Sequence, residues 1–130
     1  MRNRAAIIVA VTALLLPATV WAHHTVANTH DVSKVVTLTG VVTSVRWQNP
    51  HVTYHLSVPG AVGVDWEIES RHLDGMRRAG VDKDTIKVGD RVTFDVLLAL
   101  DGSHRAATAS VALADGRTVR LCTVTEDRCP

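Results

Sequence analysis

Two short segments of the chain alternate apolar and polar residues, and this alternation restricts the folds that the chain can adopt. From His51 to Val58 every second side chain is apolar, and Val64 to Ser70 repeats the pattern. A period of two is typical of strands that bury one face. The segment from Val35 to Trp47 is rich in valine and threonine, with a glycine at position 40, and it predicts a long, bent first strand.

One helix and two or three further strands complete the predicted order. A short apolar stripe marks a helix over residues 71–79, with Ser70 as the predicted N-cap and Gly80 just past the end. The later strands are predicted at 91–98, 106–113 and 118–121. This order predicts a mainly β fold, a small OB-fold-like Greek-key barrel of five to six strands with one short helix between strands three and four. An open β-sandwich with a helix at one end is the alternative.

Residues 1–22 have the features of a secretory signal peptide. Two arginines precede an apolar run from Ala5 to Leu16, and small residues allow cleavage after Ala22. The run is too short to cross a bilayer as a helix. We therefore expect a protein exported to the periplasm, with no membrane span after signal removal and with His23 as its first residue.

The mature chain is expected to form one domain. It would keep 108 of the 130 residues, enough to bury a core without help from a metal. We predict a polar N-terminal arm over 23–34, the barrel domain over 35–121 and a C-terminal tail over 122–130. Loss of the two signal-peptide arginines leaves 12 basic residues against 13 acidic ones. No basic block remains, so nucleic acid is not an expected partner.

The only two cysteines are Cys122 and Cys129. An oxidising compartment favours a disulfide between them, which would tether the tail. A metal-binding or redox pair is the alternative, but six intervening residues suit neither a zinc knuckle nor a C-x-x-C motif.

Several motifs resemble those of one protein family. They are Ala22-His23-His24-Thr25, Val36-Thr37-Leu38-Thr39-Gly40 and Trp47-Gln48-Asn49-Pro50-His51. The chain resembles a family of small secreted bacterial proteins of unknown function, in which an Ala-His-His-Ser start precedes a Leu-Thr-Gly strand and a Trp-x-Asn-Pro-His motif. Thr25 stands where serine is usual, and the cysteine-containing tail is not a general family feature. The resemblance implies an OB-like barrel and export, and it implies no activity.

The predicted mature N-terminus offers a metal site. The α-amine and the imidazole of His23 can chelate one ion together, and a further imidazole, from His24 or His51, would complete a set of three nitrogens that suits Cu(II). Copper is therefore the predicted ion, if any is bound. The alternative is that the two histidines are an incidental polar start on an irregular arm.

A second group of candidates lies at and beyond the Asn-Pro turn. Trp47, Asn49 and His51 are predicted to form a rim for a small ligand or a metal. A purely structural role is the alternative, with Trp47 covering the barrel mouth, Asn49 capping the turn and His51 holding the loop. If Val58 pairs with Val64, the same register sets His55 opposite Glu67, either as a ligand or acid–base pair or as a solvated cross-strand contact.

No motif of a known catalytic class is present, since the chain lacks Gly-x-Ser-x-Gly and His-Glu-x-x-His. We therefore expect a binding protein and not an enzyme. One hypothesis is a periplasmic module of unknown ligand that holds copper through its N-terminal histidines. The alternative is a non-catalytic interaction or structural module that binds a protein, peptide or glycan without a metal.

Overall fold

The computed structural model describes residues 26–60 and 64–122. Within them, six strands and two short helices follow one another along the chain. In order they are α1 (Val26–Thr29), β1 (His30–Arg46), β2 (Thr53–Ser57), β3 (Asp65–Glu69), α2 (Leu73–Arg78), β4 (Arg91–Ala99), β5 (Arg105–Ala112) and β6 (Thr118–Arg120). The predicted mainly β fold, with a short helix between the third and fourth strands, is confirmed.

The strands form one sheet that returns on itself. The order across the sheet is β3-β2-β1-β4-β5-β6, and β3 also pairs with β5. That closing pair is parallel, whereas the other neighbouring strands run antiparallel. Five strands therefore make a barrel-like ring, and β6 extends the sheet beyond β5.

Apolar side chains from every strand of the ring fill its interior. The largest of the fully buried side chains are Tyr54, Phe94, Leu56, Ile68 and Met76. The rings of Tyr54 and Phe94 lie 5.4 Å apart and tilted, a favourable aromatic arrangement. Trp66 is only half-buried and packs against the core, and the ring of His104 meets it edge-on at a centroid distance of 5.0 Å.

The first strand begins earlier than predicted. His30 pairs with Ala99, so β1 includes five residues that were assigned to the irregular arm. Continuous pairing with β4 resumes at Val35, the residue at which the barrel domain was predicted to begin. Pairing at His30 adds a backbone contact that no local alternation in the sequence predicts.

The glycine inside β1 lies where this strand passes from β4 to β2. A Cβ atom added to Gly40 would overlap the carbonyl oxygen of Ser57 on the neighbouring strand. The pairing of β1 with β2 starts at the next residue, Val41, and contains a β-bulge between Val42 and Ser44. The glycine therefore permits the close approach that the bent first strand requires.

The helix α2 starts two residues later than predicted. Ser70 is not its N-cap, because the backbone N–H of Ser70 donates to the Val52 carbonyl and the Arg71 carbonyl accepts from Val52. These two bonds pair residues 70 and 71 with Val52, just before β2, so the helix begins only at Leu73. The end is as predicted: Gly80 has a positive φ of 80° and closes a Schellman motif in which the N–H of Val81 donates to the Met76 carbonyl.

Among the described residues, no helix is long and apolar enough to span a membrane.

Candidate functional site

A cleft of about 250 Å³ opens where the N-terminal segment lies over the outer face of β3 and β5. One wall is the N-terminal segment, and the other is formed by the two paired strands and the loop before β2. The polar side chains that line it belong to Thr29, His30, His51, Glu67, Glu69 and Arg105. The volume is just below the 300–1,000 Å³ typical of pockets for drug-sized ligands, so the cleft has room for a small ligand or an ion.

Backbone bonds fix the N-terminal wall of the cleft. The Leu100 N–H donates to the Thr29 carbonyl at 2.9 Å, and His30 is paired with Ala99 at the end of β4. Val26, the first described residue, also lines the cleft. The arm therefore folds back onto the barrel, so the chain enters this site three residues after the predicted mature N-terminus at His23.

His51 stands at the mouth of the cleft with two acceptors on one ring nitrogen. Its Nδ1 lies 3.1 Å from the carbonyl oxygen of Ser70 and 3.3 Å from Oε1 of Glu69. The side chain is nevertheless 45% exposed. The ring is thus oriented from one side and open on the other, as a ligand histidine needs to be.

The predicted cross-strand pair of His55 and Glu67 is present, with Glu67 two residues before Glu69 on β3. His55 is directly opposite Glu67, and Thr53 is opposite Glu69, as the register argument predicts. The His55 Nε2 and Glu67 Oε2 atoms are 3.9 Å apart, with both side chains more than one-third exposed. This is a loose, solvated contact, so Glu67 remains available to the cleft that it lines.

His30 lines the same cleft and is less exposed than His51. Its Nδ1 is 2.8 Å from Oγ1 of Thr29, whose hydroxyl in turn contacts the Val26 carbonyl at 3.2 Å. Burial lowers the pKa of His30, with the Arg105 charge acting in the same direction, while the Glu69 carboxylate and the Val26 carbonyl oppose this shift. Lowering of this pKa favours a neutral imidazole, the form that can donate a lone pair.

The rest of the predicted rim has structural roles. Oδ1 of Asn49 accepts a hydrogen bond of 3.0 Å from the backbone N–H of Leu73, the first residue of α2. Asn49 therefore caps a helix whose first residue lies 24 residues further along the chain. Trp47 is half-buried and packs against the core. Neither residue is among those that line the cleft.

Several predicted site residues lie outside the described part of the chain. His23 and His24 precede it, and Cys129 follows it, so the N-terminal metal site and the disulfide stay predictions. Cys122 is described and is 3% exposed. His72 and His104 are both exposed.

The charges in the cleft favour a cation. Two carboxylates, from Glu67 and Glu69, face one guanidinium, from Arg105, which is itself 3.5 Å from an Asp101 oxygen. Within the described ranges, no three histidine, cysteine or acidic side chains converge as a ready metal site. The described residues can thus hold part of a ligand set, and any metal would need a further donor.

Sequence reasoning missed Glu69, His30 and Arg105. The Glu69 contact could have been found, because the predicted register sets Glu69 opposite Thr53 and hence diagonal to His51 on the same face. His30 and Arg105 carry no such signal. Both reach the cleft through the parallel pairing of β3 with β5 and the return of the N-terminal segment, which are non-local contacts.

Comparison with known proteins gives a family but no activity. No curated protein matches the chain. A model of a family of unknown function, DUF6152, matches residues 11–108, which is most of the chain. The protein therefore belongs to this family of unknown function, DUF6152.

Proposed function

We propose that this protein is an exported, non-catalytic binding module whose cleft, together with its N-terminus, holds a copper ion. The observation that carries the proposal is that the N-terminal segment lines the same cleft as His51. Val26 lies three residues after His23, and an extended chain spans at most about 3.6 Å per residue. Three residues therefore span at most about 11 Å between their Cα atoms, so the length of the chain would allow the His23 nitrogens to reach the cleft that Val26 lines.

The chemistry of the proposed ligands suits Cu(II). After removal of residues 1–22, the α-amine and imidazole of His23 would supply two nitrogens, and His51 the third, with His24 as an alternative. Nitrogen donors in a tetragonal arrangement are typical of Cu(II), which also binds such sites more tightly than other divalent ions of its series. The carboxylate excess around the cleft adds electrostatic attraction for a cation.

Export is part of the same proposal, because the α-amine becomes a ligand only after signal cleavage. The arginine-flanked apolar run of residues 1–22 supports a signal peptide, and a periplasmic location would allow Cys122 and Cys129 to form a disulfide. We include both in the proposed mature form. An unknown periplasmic protein, peptide or small ligand would be the partner if no metal is bound.

The direct test is a calorimetric titration of the mature protein, beginning at His23, with Cu(II). A matched control carries one additional glycine before His23, which displaces the α-amine while leaving every side chain in place. We expect one-to-one binding that weakens at least tenfold in the control. Equal binding by both proteins contradicts the N-terminal site, and the interaction module without a metal then becomes the better hypothesis.

A further inference from the structure

The wall of the cleft that comes from the N-terminal segment is attached to the barrel by few backbone contacts. This wall, residues 26–30, consists of α1 and the first residue of β1, and we call it the N-terminal strap. The helix α1 contains no buried residue. The strap meets the end of β4 where His30 pairs with Ala99 and where the Leu100 N–H donates to the Thr29 carbonyl at 2.9 Å. A segment with so little burial opens locally more easily than the barrel that supports it.

The pairing of β1 with β4 is irregular directly after the strap. It passes from the His30–Ala99 pair to the Val35–Leu97 pair with a shift in register. Within this interval the Asp31 carboxylate accepts a hydrogen bond of 3.0 Å from the backbone N–H two residues later. Because this bond is local, residues 31–34 can change direction without disturbing the regular pairing from Val35 onward. The strap can therefore lift from the cleft while the barrel stays intact.

His30 is the only titratable side chain of the strap, and it lines the cleft. Its Nδ1 contacts the Thr29 hydroxyl at 2.8 Å, within the strap itself. On its own strand the next residue, Asp31, is held by Ser33 through hydrogen bonds that lower the pKa of the carboxyl. The charged and titratable side chains that surround His30 from the other elements of the cleft are Glu67, Glu69, Arg105, Asp101 and His51.

The balance of these surroundings disfavours a proton on His30 while the strap is closed. Burial has the largest effect on the pKa of His30 and lowers it, and the Arg105 charge acts in the same direction. Glu69, Asp101 and the hydrogen bond with the Val26 carbonyl raise this pKa, but the net shift is downward. A cationic His30 is thus less favourable in the closed cleft than in water.

The sign of the pH dependence follows from this difference. When the strap opens, the imidazole returns to water and to the ordinary histidine pKa of about 6.5. Because the closed form has the lower pKa, opening is accompanied by proton uptake. The closed strap is therefore favoured above about pH 6.5 and becomes less stable as the pH falls below that value.

We propose that residues 26–30 are an acid-released strap over the cleft, closed while His30 is neutral and opened when His30 takes up a proton. This conformational device goes beyond the proposed metal binding, since it uses only described residues and needs no metal. Its consequence is that the cleft between the strap and the outer face of β3 and β5 becomes more accessible at mildly acidic pH.

The first test is hydrogen exchange of the mature protein without metal, measured residue by residue by NMR between pH 7.5 and 5.5. The Leu100 N–H reports directly on the strap, because it donates to the Thr29 carbonyl. After correction for the intrinsic exchange rate, we expect its protection to fall at least about twofold over this range. Uptake of one proton limits the fall to about tenfold per pH unit.

A second amide separates opening of the strap from loosening of the whole barrel. The Val42 N–H donates to the Asp90 carbonyl at 2.9 Å, in a part of β1 that does not line the cleft. We expect its protection to change less than that of the Leu100 N–H. Protection of Leu100 that is independent of pH, or that falls in parallel with that of Val42, overturns the inference.

Variants identify His30 as the group that responds. His30→Asn keeps a polar group near the position of Nδ1 but does not titrate in this range, so we expect Leu100 protection that no longer depends on pH. His72→Ala removes an exposed histidine that does not line the cleft, and it should keep the pH dependence of the unmodified protein. A pH dependence that persists in folded His30→Asn overturns the inference.

A titration of the unmodified protein tests the same point if His30→Asn does not fold. We expect the ring of His30, followed by NMR, to have a titration midpoint below 6.5, and a midpoint at or above 6.5 overturns the inference. All these measurements are made without copper. Failure of the strap therefore leaves the proposed copper site to its own titration, and absence of copper binding leaves the strap to these tests.

Discussion

Asn49 offers the sharpest separation between a structural and a ligand-binding role, because it was a candidate for both. Its Oδ1 accepts from the Leu73 N–H at 3.0 Å, and it does not line the cleft. We expect Asn49→Ala to destabilise the protein and to leave metal affinity unchanged. Loss of a side-chain cap costs typically about 1 kcal/mol.

The expected change in melting temperature follows from the size of the domain. Unfolding entropy near 60 °C is about 2.1 cal/mol/K per residue, or roughly 0.2 kcal/mol/K for about 100 residues. A loss of about 1 kcal/mol therefore lowers Tm by about 4–5 °C. Thermal unfolding followed by circular dichroism measures this shift, and Asn49→Asp, which keeps an acceptor oxygen, should lose less.

The neighbouring exposed residue provides the control. Gln48→Ala should leave Tm within about 1 °C, since surface substitutions of this kind change stability little. The same three variants are then titrated with Cu(II). An Asn49→Ala protein as stable as the unmodified one, or one that loses copper affinity as strongly as His51→Ala, would refute the assignment of Asn49 as a helix cap.

Three further predictions concern the fold. Gly40→Ala places a Cβ atom against the Ser57 carbonyl, so we expect the free energy of unfolding, measured in urea, to fall by about 1–3 kcal/mol or more. Val41→Ala, at an exposed position, is the control and should lower it less. The backbone N–H of Asp84 and the Thr85 hydroxyl both lower the pKa of Asp82. We therefore expect Thr85→Val to raise the pKa of Asp82 toward its usual value in an NMR titration. An unchanged pKa would contradict the hydrogen bond from Thr85. Replacement of both cysteines by alanine should cost about 2–3 kcal/mol if they are bridged, and reactive thiols in the unfolded parent protein would exclude the bridge.

Local patterns predict β2 and β3 well because these strands are short and alternate apolar and polar residues. The alternation in β2 and β3 gives their facing sides and, with the short loop between them, the register in which His55 meets Glu67. The apolar stripe and Gly80 place the helix and its end. The sequence does not predict the later start of α2, since the extra backbone bonds at Ser70 depend on pairing with residue 52.

The site is less predictable because its residues come from distant parts of the chain. His51 was recognised from the Asn-Pro-His motif, yet Glu69 beside it required the sheet register, and His30 required the N-terminal segment to return across β3 and β5. Asn49 was predicted either to form part of a ligand rim or to cap its own turn, whereas its hydrogen-bond partner lies on a helix that no local pattern connects to it.

The measurement that tests the proposed copper site most directly is pulsed electron paramagnetic resonance of the mature protein with one equivalent of Cu(II). Selective ¹⁵N labelling of histidine distinguishes imidazole nitrogens from the amine and the backbone. We expect one copper species with at least two coordinated imidazoles, one of which is lost in His51→Ala. A spectrum with no imidazole nitrogen, or one that His51→Ala leaves unchanged, would contradict a metal site in the cleft.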